Sequence, residues 1–273
     1  MARVQFIDNL DLPELAPYRT LRRPLDHQRQ GIFVAEGEKV VRRLLESRFA
    51  VVSVLLPEKW LAGYERILES RPEPNLPVYV VREKQVLEQL VGFSMFQGVL
   101  AVGRIPVLPS LEDVVTRCAA PRLLAAVDAL TNAENLGALV RNCVAFGVQA
   151  LVVGETSSSP FLRRAVRNSM GAIFQLPIVE STRLKDSLRT LRSRGVNCIA
   201  AHPHPPHRLL SQADFSGDCC VVFGSEGYGL TPEILAACEE AVAIPMAGSV
   251  DSLNVAAAAA VFLYEVNRQR NRV

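Results

Sequence analysis

Apolar residues recur at helical spacing in some stretches of this chain and run almost unbroken in others, and that contrast divides it into elements. In the first third, Val40, Val41, Leu44 and Leu45 share one face of a helix over residues 36–47. Short apolar runs predict strands over 51–56, 78–81 and 98–103, with helices over 60–70 and 83–91 between them. Residues 1–30, polar and rich in arginine, read as a helical or irregular lead-in. Beyond residue 122 the apolar runs become denser. Strands are expected over 123–130, 150–154, 174–179, 197–202, 219–224 and 241–245, and helices over 133–146, 160–171, 182–194, 232–239 and 252–268. Runs such as Cys219-Cys-Val-Val-Phe223 suit a parallel sheet buried on both faces. Gly147 and Gly195 stand where helices stop. Pro160 after Ser159 and Pro232 after Thr231 stand where helices start.

Ile105-Pro-Val-Leu-Pro-Ser110 interrupts regular structure with two prolines and marks a linker, followed by a short helix over 111–119. The expected organisation is therefore an α/β unit over 1–105, a linker over 106–121 and a larger α/β domain over 122–273. A chain of 273 residues is long enough for two cores. Hydrophobic residues make up 49%, but no run approaches the ~20 needed to span a bilayer, and the N-terminus lacks a secretory apolar segment. Six cysteines without CxxC spacing read as reduced core thiols of a cytoplasmic protein. Net charge is +2, with neither half strongly basic, so charge alone does not call for nucleic acid. Arginines cluster locally at 19, 22, 23 and 29, at 163, 164 and 167, and at 268, 270 and 272, and each cluster also fits a solvated face.

Candidate chemistry lies in three segments at strand ends, where α/β sheets place ligands. In Asn132-Ala-Glu-Asn-Leu-Gly-Ala-Leu-Val-Arg141, Asn132 can cap a helix, Gly137 keeps its first turns slim, and Arg141 lies outside the apolar stripe. Phe223-Gly-Ser-Glu-Gly-Tyr-Gly-Leu230 fits neither the GxGxxG dinucleotide fingerprint nor a GxxxxGK[ST] phosphate loop. Its exposed carbonyls would suit a cationic ligand, with Glu226 nearby. Ile244-Pro-Met-Ala-Gly-Ser-Val-Asp-Ser-Leu-Asn-Val255 leaves a strand, makes a loop and opens a helix apolar around most of its circumference, with Ser252 as cap candidate. Spacing alone fits a capped helix, a turn and a core helix equally well.

Taken together and in order, the three segments resemble the motifs of the SpoU (TrmH-like) RNA ribose 2′-O-methyltransferases of the SPOUT superfamily, over residues 122–270. The resemblance implies a trefoil-knotted, mostly parallel sheet flanked by helices, a bent S-adenosylmethionine cofactor, an RNA substrate and a homodimer. It places cofactor contacts on Phe223, Gly224, Ile244, Met246 and Leu253, and catalytic or RNA-orienting roles on Asn135, Arg141, Glu226, Ser252 and Asn254. Many relatives carry Pro where this chain has Ala133, a departure that removes no reacting group. The N-terminal unit, with its Phe33-Val-Ala-Glu-Gly37 start, resembles the accessory RNA-binding domain preceding many such enzymes, which implies ribosomal RNA before transfer RNA. Residues 163–172 also match, making Arg163 and Arg167, together with Arg22 and Arg23, candidate RNA contacts.

His202-Pro-His-Pro-Pro-His207 invites a metal reading, but no Cys or carboxylate stands at a recognised spacing, so no metal is expected and a proline-stiffened surface loop is. The competing classes are a non-catalytic RNA-binding protein on the same fold, which predicts missing polar motif residues, and a nucleotide-dependent oxidoreductase, which predicts the absent fingerprint.

Overall fold

The computed structural model describes residues 2–82, 86–87, 98–204, 208–225, 227–247 and 251–271. The chain forms two compact units, one of Met1–Val107 with Phe161–Gln175, the other of Leu108–Pro160 with Leu176–Val273.

The first unit is built on a five-stranded sheet of order β1-β4-β3-β5-β2. Its strands are β1 (Arg3–Ile7), β2 (Ile32–Glu36), β3 (Val51–Pro57), β4 (Pro77–Val81) and β5 (Leu100–Arg104). The first three in that order run parallel, and β5 and β2 add antiparallel pairings. Helix α3 (Glu38–Glu46) buries the expected Val40, Val41, Leu44 and Leu45, and α4 (Glu58–Glu69) buries Tyr64 and Leu68. The lead-in is more ordered than its polarity suggests. Residues 3–7 form the edge strand β1, followed by two short helices, α1 (Ala16–Arg19) and α2 (Pro24–Arg29), and Tyr18 is fully buried with its hydroxyl 2.9 Å from Ser53 Oγ. The helix expected over 83–91 lies largely outside the described residues.

Residues 161–175 pack with this first unit, although one cut at the linker would assign them to the second. Phe161 and Phe174, which flank their short helix, set their rings 5.8 and 5.7 Å from that of Phe33. The helix itself spans Arg163–Asn168, begins after Leu162 rather than at Pro160, and packs against β2. Aromatic burial against Phe33, together with a buried carboxylate at Glu36, outweighs chain continuity here.

The second unit carries a seven-stranded sheet whose neighbours are all parallel, in the order β10-β12-β9-β11-β6-β7-β8. These strands are β6 (Leu123–Val127), β7 (Ala150–Val153), β8 (Ile178–Glu180), β9 (Asn197–Ala201), β10 (Arg208–Leu209), β11 (Cys219–Phe223) and β12 (Glu240–Ala243). The continuous apolar runs form its middle: every residue of β6 and β11 is buried. The strand expected over 174–179 is shorter, because residues 172–174 make a 3-10 turn and pairing begins at Ile178. Two helices frame the site. One, Ala133–Ala145, is capped by Asn132, and the other, Val255–Gln269, packs against it. Asn142 Nδ2 donates to the Ala256 carbonyl at 2.6 Å, and Asn267 Nδ2 to that of Phe146 at 2.9 Å. Gly147 and Gly195 do terminate helices, at φ +73° and +77°, and Thr231 caps the turn at Pro232. Among the described residues, no helix is long and apolar enough to cross a membrane.

Candidate functional site

In the second sheet β11 is inserted between β6 and β9, so the strands on its two sides were laid down in separate passes of the chain. Such a switch leaves a crevice at the carboxyl ends of the strands. There, β9 runs into His202, β11 into Gly224 and β12 into Ile244, and the three ends surround a cavity of about 320 Å³. Phe223, Gly224, Ile244, Met246 and Leu253, expected as cofactor contacts, all line it, as does Ser252. Its floor is apolar, with Phe223 and Phe262 packed edge to face at 6.0 Å between centroids.

The Gly-rich segment after β11 is a closed turn. The Ser225 N–H donates to the Gly229 carbonyl and the Gly229 N–H returns to that of Ser225, both at 3.0 Å. Gly229 adopts φ +65°, which favours glycine. Gly224 has a different reason for lacking a side chain: a Cβ there would lie 2.2 Å from the Gly229 carbonyl carbon and 2.4 Å from the Leu230 nitrogen. Glu226, the acidic candidate, lies outside the described residues.

The first and third segments meet. Asn254 Nδ2 donates to Asn135 Oδ1 at 3.1 Å, while Asn254 Oδ1 accepts the Ala256 and Ala257 N–H groups at 3.0 and 3.4 Å. Asn254, not Ser252, therefore caps the last helix, which starts at Val255 rather than at 252. Ser252 is two residues too early for that task and instead faces the cavity from the loop. Asn135 is fixed from its own side by the Asn132 cap, whose Oδ1 accepts the Glu134 and Asn135 N–H groups at 2.8 and 3.2 Å. Arg141 is exposed on the same helix and does not line the cavity.

The histidine–proline segment is not merely a surface loop. His202, Pro203 and His204 line the cavity, with the two imidazole rings 5.5 Å apart at 81°. His207 lies outside the described residues, and among those described no group of three or more His, Cys, Asp or Glu could hold a metal. Tyr228 and Asp251 also line the cavity and were not singled out from the sequence. Their positions beside Glu226 and Ser252 were the available signal. No lysine or arginine is among the described lining residues. A polyphosphate would find no countercharge there, whereas carbonyl oxygens and the Asp251 carboxylate suit a ligand carrying positive charge. Nor is there an activated thiol nearby. Burial pushes Cys219 up to about 11 and Cys238 up to about 12.

The basic candidates fall elsewhere. Arg163 and Arg167, in the first unit, both bind Glu36, Arg167 at 3.1 Å, although its side chain is still 57% exposed. Arg22 and Arg23 are exposed in the same unit. In the second unit Arg270 is committed to the carbonyls of Phe215, Pro121 and Arg122, and Arg268 to Glu265, which removes both from a free basic face. Arg272 lies outside the described residues.

A parallel α/β sheet with a cavity at its switch point, apolar at the floor and without lysine or arginine among the described lining residues, suits a small cofactor that carries no phosphate. The model of the SpoU rRNA Methylase family matches residues 122–264. The chain is 34% identical over 278 residues, 99% of this chain and 94% of the relative, to an uncharacterized tRNA/rRNA methyltransferase of Mycobacterium tuberculosis. The 23S rRNA (guanosine-2′-O-)-methyltransferase RlmB of Vibrio vulnificus is 31% identical over 235 residues, 75% of this chain and 93% of that one. Among solved structures, the SpoU methyltransferase AviRb from Streptomyces viridochromogenes, in complex with the cofactor AdoMet, superposes with a TM-score of 0.79 at 25% identity, covering 96% of this chain and all of that one. The chain belongs to the SpoU rRNA methylase family.

Proposed function

We propose that the protein transfers a methyl group from S-adenosylmethionine to a ribose 2′-hydroxyl of ribosomal RNA. The observation carrying this reading is the hydrogen bond from Asn254 to Asn135, which draws the polar residues of two distant segments together next to Leu253 and Val255 of a cavity that holds Asp251 and no described lysine or arginine. When bound, S-adenosylmethionine supplies an electrophilic methyl group on a sulfonium sulfur. In this reading the carbonyl-rich turn at Gly224 and the loop at Ile244 hold the cofactor, with Leu253 and Met246 against its apolar parts. Asn135, Asn254 and Ser252 orient the ribose, a role that the resemblance of the motifs extends to Glu226. Arg141 grips the adjacent phosphate and stabilises charge developing on the 2′-oxygen. An arginine with a pKa above ~12 is a poor proton acceptor, so the hydroxyl proton leaves to a phosphate oxygen or solvent.

Ribosomal RNA is favoured over transfer RNA because a separate N-terminal α/β unit precedes the SpoU-matched region, and because a relative such as RlmB acts on 23S rRNA. The first unit then serves as the RNA-presenting domain, and the active form is a homodimer on a knotted SPOUT backbone. The deciding experiment incubates purified protein and methyl-labelled S-adenosylmethionine with unmodified ribosomal RNA and, separately, unmodified transfer RNA. Nuclease digestion and mass spectrometry then locate the label. Label on a ribose of ribosomal RNA is expected. Label on a base, or on transfer RNA alone, would reject the assignment.

A further inference from the structure

Tyr228 is the most exposed aromatic residue among those described, at 97%, yet it belongs to the wall of the cavity. The other aromatic rings of that wall, Phe223 and Phe262, are buried and pack on each other, so core formation accounts for them. It does not account for Tyr228. The turn that carries Tyr228 is closed by the paired Ser225–Gly229 hydrogen bonds, and its own N–H donates to Ser225 Oγ at 3.2 Å. The backbone is thus held while the ring projects into solvent at the cavity mouth, where it contributes little to folding.

In the reading above a ribose enters the pocket, and a base left at its rim would lose stacking with its neighbours. Single-stranded RNA is recognised chiefly by aromatic rings that replace such stacking. We propose that Tyr228 stacks on the nucleobase of the target nucleotide and so holds its ribose at the methyl donor. The proposal rests on the RNA-methyltransferase reading above and adds to it the residue that seats the base. A tyrosine suits this position because its face is apolar and its hydroxyl remains hydrated at the rim.

The test compares wild-type protein with Tyr228→Ala, Tyr228→Phe and Tyr228→Trp on unmodified ribosomal RNA transcribed in vitro, with cofactor affinity measured separately by calorimetry. Loss of one stacked base corresponds to a fall of about 5- to 150-fold in kcat/KM for RNA. That fall is expected for Tyr228→Ala, with cofactor Kd within about twofold of wild type, and Tyr228→Phe should recover most of the loss. The chain has a single tryptophan, Trp60, so the difference in emission between Tyr228→Trp and wild type isolates the new indole. It should be quenched when RNA is added in the presence of S-adenosylhomocysteine. Overturning results are an equal weakening of cofactor binding in Tyr228→Ala, which makes the ring a cofactor lid, an unchanged kcat/KM, a Tyr228→Phe defect as deep as that of alanine, or an unquenched indole on bound RNA. If the wild type binds cofactor but methylates no RNA, the functional reading fails instead, and that outcome is read before any variant is made.

Discussion

Gly224→Ala tests whether the close backbone approach beside the cavity belongs to the proposed cofactor site. The added Cβ would lie 2.2 Å from the Gly229 carbonyl carbon, 2.4 Å from its oxygen and 2.4 Å from the Leu230 nitrogen. Ordinary carbon contacts sit at about 3.5–4.0 Å, so one backbone must retreat by roughly 1 Å or more. None of the clashing atoms belongs to a side chain that could rotate away. Overpacking of this kind costs about 1–3 kcal/mol, and each kcal/mol lowers the melting temperature of a 150–250-residue domain by about 2–4 °C. Gly229, whose backbone must retreat, also lines the cavity, so affinity for S-adenosylmethionine should fall at least about tenfold. Gly227→Ala is the matched control: a Cβ there meets nothing within 4 Å, and its φ is outside the left-handed region. Differential scanning fluorimetry and isothermal calorimetry on the pair give the answer. If Gly224→Ala melts and binds cofactor as wild type does, the close approach is not part of the working site.

Three further outcomes follow from the same geometry. Arg141→Ala should leave cofactor affinity intact while methyl transfer falls at least about tenfold, since a charged hydrogen bond contributes ~1.5–3 kcal/mol; unchanged transfer would remove Arg141 from the reaction. Asn254→Ala should destabilise the second unit by about 1 kcal/mol through loss of the helix cap, and Ser252→Ala should leave its melting temperature alone, the reverse of what the sequence implied. In the first unit Arg71 donates to Glu73 at 2.8 Å and to the carbonyls of Leu45, Ser47 and Phe49. Burial pushes the Glu73 carboxyl up, but bonds from Arg71 and the Val51 N–H outweigh it and hold the pKa below the usual glutamate range. The resulting stabilisation is present above the unfolded pKa of about 4.3 and is lost as pH falls through the lower folded value. Urea titrations at descending pH should show that loss, and Glu73→Gln should flatten it.

What could be read from the sequence was whatever depends on local spacing. The apolar face of residues 38–46, the buried parallel strands and the caps at Asn132 and Thr231 all have periodicities or neighbours that reveal them. The edge strand Arg3–Ile7 was missed because its Val4 and Phe6 point outward and remain 45% and 43% exposed, which blurs the alternation. The placement of residues 161–175 could not have been read locally, since the pairing of Glu36 with Arg163 spans 127 residues. Asn254 offers the same lesson at the site. Ser252 and Asn254 are equally good caps on paper, and only the hydrogen bond to Asn135, 119 residues away, selects the second.

The two ligands of the proposed reaction should differ in how steeply they respond to salt, because the residues that meet them differ in charge. No described residue lining the proposed cofactor cavity is Lys or Arg, and Asp251 is the one carboxylate among them. Neutral dipoles are hardly screened and Asp251 is a single charge, so cofactor affinity should fall far less than RNA affinity between 50 and 500 mM salt. RNA affinity depends on phosphate contacts and must fall steeply over the same range, with each neutralised phosphate of a single strand adding about 0.7 to the slope of log K against log salt. Arg141 is exposed and does not line the cavity, and in the proposed reaction its replacement by alanine should reduce that slope by about one contact while leaving cofactor binding unchanged. Filter binding for RNA and calorimetry for cofactor, run on both proteins, measure the two slopes. A cofactor affinity as salt-dependent as that for RNA would mean that charged groups besides Asp251 hold the cofactor. An unaltered RNA slope would mean that Arg141 does not touch the phosphate.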